Sequence, residues 1–96
     1  MNRGTAMEIK LGSVVRSRAG RDKGGLFIVL AADGEYAYIA DGELRRAERP
    51  KKKKLKHLQG TYEVSELIAS KLNAAETVTS SEVRKALAQS GGNDNG

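Results

Sequence analysis

The sequence predicts a mainly β fold: a small five-stranded barrel over residues 8–60, followed by a helical extension of two short α-helices over residues 61–89. Before residue 60, short runs rich in valine, isoleucine and tyrosine alternate with glycine-containing turns, as in a small strand meander. After residue 60, apolar residues recur at helical spacing. The 96 residues suffice for one domain plus a short appendage. Residues 1–7 and 90–96, which are polar and contain glycine, are predicted to be disordered.

The first predicted hairpin carries a charged tip. Its strands, Ser13 to Arg18 and Leu26 to Ala31, flank the segment Gly20 to Gly25, which holds three glycines, two cations and one acid. A period of two in the first strand places Val15 toward the core and Val14 on the solvent side. The opposite register stays open for so short a run. The second strand is apolar throughout, so we expect it at the centre of the sheet, covered on both faces.

Two Asp-Gly pairs predict the next turns. Asp33-Gly34 is a strong hairpin signal, because a primed turn needs positive φ at its central residues. It leads into a third strand from Tyr36 to Ala40, with both tyrosines on one face. Asp41-Gly42 leads into a short fourth strand from Glu43 to Arg45.

The segment that closes the predicted barrel contains the only proline, Pro50. Because proline disfavours a sheet interior, Arg46 to Lys54 is predicted to be a connection rather than a strand. Leu55 to Leu58 is the predicted closing strand, anchored by its two leucines. At the other end of the barrel, Glu8 to Leu11 alternates polar and apolar residues and suggests a strand edge.

The two predicted helices differ in their signals. The first, over about Glu63 to Leu72, has an apolar stripe made of Val64, Leu67, Ile68 and Leu72. A soluble monomer rarely exposes so large an apolar patch, so we expect this helix to dock on the barrel. The second begins with a capping box, Thr79 and Glu82, and a hydrophobic staple, Val78 against Val83, and is predicted to end near Ala88.

One pattern runs through the first hairpin: a glycine two or three positions before valines, then a loop glycine, a Lys-Gly pair and an apolar strand. Its residues are Gly12, Val14, Val15, Gly20, Lys23 and Gly24. In this pattern the chain resembles the KOW-motif RNA-binding modules of ribosomal proteins and transcription elongation factors, over roughly Lys10 to Leu58. It is most similar to small bacterial relatives of archaeal and eukaryotic large-subunit ribosomal KOW proteins. Many KOW modules carry another glycine where this chain has Phe27.

The resemblance implies an SH3-like barrel that binds RNA. It further implies that the RNA is ribosomal, that ribosomal proteins are possible neighbours, and that the protein takes part in translation in the cytoplasm.

The positive charge is concentrated in one segment. Residues 1–60 contain 14 Lys and Arg against 7 Asp and Glu, whereas residues 61–96 contain 3 against 5. Arg45 to Lys56, named here the basic stripe, has eight cations and one acid. A single stripe of this kind creates a local field that attracts a polyanion.

The candidate RNA-binding residues lie in the hairpin and in the basic stripe. A glycine-rich turn brings backbone amides and long cations to phosphates together, which favours Arg21 and Lys23 as phosphate contacts. Asp22 between them is expected to brace the turn by a local hydrogen bond. The full predicted set is Arg16, Arg18, Arg21, Lys23, Gly24, Arg45, Arg46, Arg49, Lys51, Lys52, Lys53, Lys54, Lys56 and His57.

Other interpretations stay open at this point. The lysine run would also serve solubility alone, or nuclear import as the sequence PKKKKLK. The helices would also suit a protein-interaction module with a ribosomal or polymerase partner, and composition alone does not separate RNA from DNA. Tyr36 and Tyr38 fit base stacking as well as packing, and packing is favoured because the chain has few aromatic residues for a core.

Composition excludes several chemistries. Without cysteine the chain has no disulfide, no thiolate zinc site and no cysteine nucleophile. Gly20 to Gly25 lacks the Gly-Lys-Ser/Thr ending of a phosphate-binding loop, and His57 has no evident catalytic partner. We therefore predict no enzyme, cofactor, metal site or small-molecule substrate. The longest apolar run, Leu26 to Ala32, is far shorter than the roughly 18 residues of a membrane span, which predicts a soluble protein without a membrane partner.

Overall fold

The computed structural model describes residues 9–93, and it contains five antiparallel strands in one sheet followed by two α-helices. The strands are β1 (Ser13–Ser17), β2 (Leu26–Asp33), β3 (Tyr36–Ala40), β4 (Lys51–Lys54) and β5 (Leu58–Val64). The helices are α1 (Glu66–Asn73) and α2 (Ser80–Asn93), and a single 3₁₀ turn, Leu55–His57, joins β4 to β5. The predicted mainly β fold with two C-terminal helices is confirmed. Residues 1–7, predicted to be disordered, lie outside the described residues.

The sheet is curved, because one short turn connects its two edge strands. Its strand order is β4-β3-β2-β1-β5, so β4 and β5 are its two edges. In a flat sheet four strand intervals would separate these edges by about 19 Å. The turn Leu55–His57 covers only about 8 Å from Lys54 to Leu58, so the edges must approach each other at this corner. Within residues 9–93 no backbone ladder joins β4 to β5, and the sheet is open at that seam.

The inner face of the curled sheet encloses the first hydrophobic core. Alternate residues of β1, β2 and β3 point into it, and Leu58 of β5 packs in the same cluster although two strands separate β5 from β3. Its buried members are Val15, Phe27, Val29, Ala37, Ile39 and Leu58, with Ile9 and Leu55 packed against them. The two predicted leucine anchors, Leu55 and Leu58, therefore both contact this core.

The outer face of the sheet carries a second core beneath the helices. Its buried members are Val14, Ile28, Ala40, Ile68, Val78 and Val83. The central strand β2 is consequently covered on both faces, as predicted, with Phe27 and Val29 inside and Ile28 outside. Val14 is buried as well, because the helices cover the face that the sequence pattern assigned to solvent.

The first helix docks on the sheet as predicted, but it begins later. Val64 pairs with Ser13 as the last residue of β5, so the predicted boundary at Gly60 falls inside a strand. The helix begins after Ser65, whose hydroxyl accepts the Ile68 N–H at 3.3 Å. Ile68 is fully buried, whereas Leu67, predicted on the buried stripe, is 57% exposed.

The start of α2 follows the predicted capping box. The Thr79 N–H donates to the Glu82 carboxylate at 2.9 Å, and the Glu82 N–H donates to the Thr79 hydroxyl at 3.1 Å. Val78 and Val83 are buried together in the second core. The helix continues to Asn93, past the predicted end near Ala88, so that residues 90–93 of the predicted tail are helical. Residues 94–96 lie outside the described part of the chain.

The turn after β2 lies one residue further along than predicted. Asp33 and Tyr36 form the last pair of the hairpin, so the two turn residues are Gly34 and Glu35. Gly34 has a φ of 62°. The hairpin itself is confirmed.

The strands after β3 differ from the prediction. Residues 43–45 form no strand, because the Asp41 carboxylate accepts the N–H groups of Glu43 and Arg45, both at 2.9 Å, and folds the chain into a local turn. Lys51–Lys54, predicted to be a connection, is the edge strand β4. The predicted closing strand begins instead at Leu58, and Ile9 to Leu11 forms no strand.

Truncating Ile68 tests the docking of α1. We expect Ile68→Ala to lower the free energy of unfolding by about 2 to 5 kcal/mol, because it opens a cavity in a fully buried site. The neighbouring Leu67→Ala is the matched control and should change it by no more than about 0.5 kcal/mol. Urea denaturation of both variants measures this. Equal losses at the two positions would contradict the helix orientation.

An ion pair joins the two helices, and the stability that it contributes should depend on pH. The Lys71 ammonium lies 2.7 Å from the Glu82 carboxylate, which lowers the pKa of Glu82 and raises the pKa of Lys71. The stability that this pair contributes is therefore present near neutral pH. It is lost as the pH falls through the lowered pKa of Glu82, and also as it rises through the raised pKa of Lys71.

Glu82→Gln is the variant for this test, because glutamine can still complete the capping box while the ion pair is lost. The difference in unfolding free energy between wild type and variant should be largest near neutral pH and shrink in acid. Denaturation curves across a pH series measure it, and a difference independent of pH would argue against the ion pair.

Candidate nucleic-acid interface

The β1–β2 loop, residues 18–25, is a compact, internally bonded turn. The Gly24 N–H donates to the Ser17 carbonyl at 2.8 Å, and the Ser17 N–H donates to the Gly25 carbonyl at 3.0 Å. Gly20 and Gly24 have φ values of 75° and 90°, a backbone conformation that side chains with a Cβ disfavour. Arg16 adds a contact from its guanidinium to the Gly24 carbonyl at 2.8 Å. These contacts brace the loop from within.

A nearly buried carboxylate ties this loop to the basic stripe. The Asp22 side chain is only 8% exposed and accepts hydrogen bonds from the Arg45 guanidinium at 3.1 and 3.3 Å. The Lys53 ammonium lies 3.9 Å from the same carboxylate and donates to the Ala19 carbonyl at 3.0 Å. Asp22 does brace the turn, as expected, but through partners 23 and 31 residues away rather than locally. We call Asp22, Arg45 and Lys53 the ion cluster.

The register of β4 decides which lysines are displayed. Lys53 pairs with buried Ala37 and so shares the inner face of the sheet, where its side chain is 10% exposed. Lys52 and Lys54 pair with Tyr38 and Tyr36 and project on the outer face, where both are exposed. The lysine run is thus an edge strand with an inward and an outward side.

Three predicted RNA-binding residues are engaged within the protein. Arg16 braces the loop, and Arg45 and Lys53 belong to the ion cluster. Each has a protein acceptor within hydrogen-bond distance, and its contact with RNA stays a prediction. Sequence reasoning missed the acceptors since Asp22 and the carbonyls of the loop reach them only through tertiary folding.

The other predicted site residues lie on the surface next to the ion cluster or along the stripe. Arg46 forms an exposed ion pair with Glu48 at 3.5 Å. His57 is half-buried in the 3₁₀ turn. The remaining residues are exposed, and the cations among them have no ion pair with another described residue: Arg18, Arg21, Lys23, Gly24, Arg49, Lys51, Lys52, Lys54 and Lys56.

The start of α2 holds the segment 41–50 that carries the first half of the stripe. The Ser80 hydroxyl accepts the Ala47 N–H at 2.8 Å and donates to the Glu48 carboxylate at 3.2 Å. The pKa of Glu48 is lowered, first by a hydrogen bond from its own backbone N–H and then by this hydroxyl. The Arg84 guanidinium donates to the Gly42 carbonyl at 2.8 Å. A Cβ at Gly42 would stand 2.5 Å from the Ser80 carbonyl oxygen, so this close contact requires glycine.

Comparison with protein-family models and with curated proteins gives no match for this chain. Across residues 9–93, no group of three or more His, Asp or Glu side chains is arranged to hold a metal ion. In the same part of the chain, neither helix has the length and apolar character needed to cross a bilayer.

Replacing Asp22 tests whether the ion cluster holds the loop. Asp22→Asn removes the charge that partners Arg45 and Lys53, and we expect it to cost about 1.5 to 3 kcal/mol of unfolding free energy. The control is Arg46→Gln, which breaks an exposed pair and should cost at most about 1 kcal/mol. Both are measured by urea denaturation. If the two variants are equally stable, the ion cluster does not anchor the loop.

Proposed function

We propose that this chain is a KOW-type RNA-binding protein that binds ribosomal RNA in the cytoplasm through the tip of its β1–β2 loop and its basic stripe. One observation carries the proposal. The ion cluster joins the loop that carries the exposed cations Arg21 and Lys23 to the edge strand β4, so that two basic segments far apart in sequence meet; together we call them the basic surface. That the RNA is ribosomal rests on the resemblance in the first hairpin.

The proposed fold type is the small SH3-like barrel. It is supported by the antiparallel order in which β1 pairs with both β2 and β5, and by the curl that brings the two sheet edges together at Leu55–His57. The single inner core shared by β1, β2, β3 and Leu58 also fits a barrel.

The chemistry of the surface suits phosphate groups. Lysine ammonium groups act as point charges on phosphates, and their binding releases condensed counterions. The loop presents Gly24 without a side chain and Arg21 and Lys23 with long ones, so backbone and cations can approach the same phosphate run. The proposed activity is binding alone, with no catalytic step and no cofactor.

The alternative function, a protein-interaction module that uses the helices, has weaker support. The apolar side chains that would serve it, Ile68 and Val83, are fully buried against the sheet. Leu67 and Tyr62 remain exposed at 57% and 71% and are the residues on which such a partner would depend.

The salt dependence of RNA binding tests the proposal. With about six phosphates contacted, log K against log salt should slope at roughly −4 for single-stranded RNA, at about 0.7 per phosphate. The double variant Lys51→Gln/Lys54→Gln removes two exposed cations of β4 and should flatten the slope by about 1.4.

The control for this measurement removes the same charge elsewhere. Lys10 and Lys85 are exposed, Lys10 beside α1 and Lys85 on α2, so Lys10→Gln/Lys85→Gln should leave the slope nearly unchanged. Equal slopes for the two double variants would mean that β4 does not contact phosphates. Competition between structured RNA and duplex DNA at fixed salt separates an RNA-binding protein from a general polyanion binder.

A further inference from the structure

Two tyrosines lie on a part of the outer sheet face that the helices leave uncovered. Ala40, at one end of β3, is fully buried in the core beneath the helices. Toward the other end of β3, Tyr38 and Tyr36 point to the same outer face and are only half-buried. Their β2 neighbours on this face, Ala31 and Asp33, are exposed.

These tyrosines are not core residues. Among the described residues, neither Tyr36 nor Tyr38 belongs to either hydrophobic core or to the partly buried side chains packed against it. Packing, the use favoured from composition, therefore does not account for them. Large aromatic side chains on an exposed sheet face are instead available to a ligand.

Each tyrosine has a lysine directly across the strand pair. Tyr36 is opposite Lys54, and Tyr38 is opposite Lys52. Side chains opposite each other in this way have Cβ atoms about 4.5 to 5.5 Å apart. The Lys52 ammonium also lies 4.4 Å from the centre of the Tyr36 ring, so this lysine contacts the neighbouring tyrosine as well as facing Tyr38.

The distance between the two tyrosines determines which form of nucleic acid they can bind. Residues two apart on a strand are about 6.8 Å apart, which is twice the roughly 3.4 Å between neighbouring nucleotides along one strand of a duplex. Two bases stacked on each other therefore cannot each use one ring. Two nucleotides of an unpaired, extended strand are far enough apart for each to use one ring and one ammonium group.

We propose that Tyr36, Tyr38, Lys52 and Lys54 form a stacking platform for two unpaired nucleotides of single-stranded RNA. The rings take the bases, and the two lysines take the phosphates on the backbone of the same two nucleotides. Asp33, opposite Tyr36 on β2, repels phosphate and so directs the RNA backbone to the β4 side. The platform rests on the proposed RNA-binding function, whose basic surface it continues through Lys52 and Lys54.

The test compares ring loss with ring retention. Tyr36→Leu and Tyr38→Leu remove the aromatic face, whereas Tyr36→Phe and Tyr38→Phe keep it. The probes are a 12-nucleotide oligouridine and a 12-base-pair RNA duplex, measured by fluorescence anisotropy at one salt concentration. Each Leu variant should bind oligouridine at least about fivefold more weakly, and each Phe variant within about twofold of wild type. Duplex binding should be unchanged in all four.

Tyr62 provides the matched control, because it is 71% exposed and lies on β5, at the opposite edge of the sheet. Tyr62→Leu should bind oligouridine like wild type. A second measurement does not depend on the Leu variants folding. The chain has three tyrosines and no tryptophan, so in Tyr62→Phe protein the tyrosine emission comes from Tyr36 and Tyr38 alone. Saturating oligouridine should quench it, and the RNA duplex should not.

The outcomes separate this proposal from the function on which it rests. Wild-type affinity for oligouridine in both Leu variants, equal losses for oligouridine and duplex, or unquenched emission would overturn the platform, while lysine-dependent RNA binding would still stand. If wild-type protein binds neither probe with the salt dependence expected of the β4 lysines, the RNA-binding function itself fails, and the platform fails with it.

Discussion

The Asp22 carboxylate is the contact on which the arrangement of the basic surface depends. A carboxylate that is only 8% exposed is costly unless it is paired, and Arg45 and Lys53 supply the pairing. The same contacts join a loop tip, a connection and an edge strand that are otherwise independent. Because Asp22 is already paired with Arg45 and Lys53, the neighbouring cations Arg21 and Lys23 are exposed and have no ion pair with another described residue, which leaves them available to an anion.

The helices serve this surface indirectly. A sheet of about 50 residues buries too little area to be strongly stable alone, and the second core beneath α1 and α2 adds apolar burial on its outer face. Through Ser80 and Arg84, the start of α2 also clamps the connection that carries Arg45 to Arg49. The apolar side of each helix is thus used inside the molecule, and its polar contacts help to hold the candidate site in place.

The outer face of the sheet is divided between two uses. Near Val14 and Ala40 it is apolar and covered by the helices, whereas near Tyr36 and Tyr38 it is open and lined by lysines. Because β4 pairs with β3 in this register, lysines and tyrosines lie opposite each other across one strand pair. Residues 61–96, which include both helices, have more acids than cations, so the field of the protein favours approach of a polyanion from the strand side.

The sequence by itself determined the features of the fold that depend on interactions between residues close together in the chain. The glycine loop, the Asp33-Gly34 hairpin, the apolar central strand and the Thr79 capping box each depend on neighbours a few residues away, and each is present in the structure. Only tertiary structure decided the rest. From the sequence alone, the lysine run is interpreted as a solvated connection. In the structure it pairs with the edge of β3, and the register of this pairing places Lys53 on the inner face and Lys52 on the outer face. Likewise, Val14 is buried because helices from the far end of the chain cover it, and partners at such separations leave no periodic signal in the sequence.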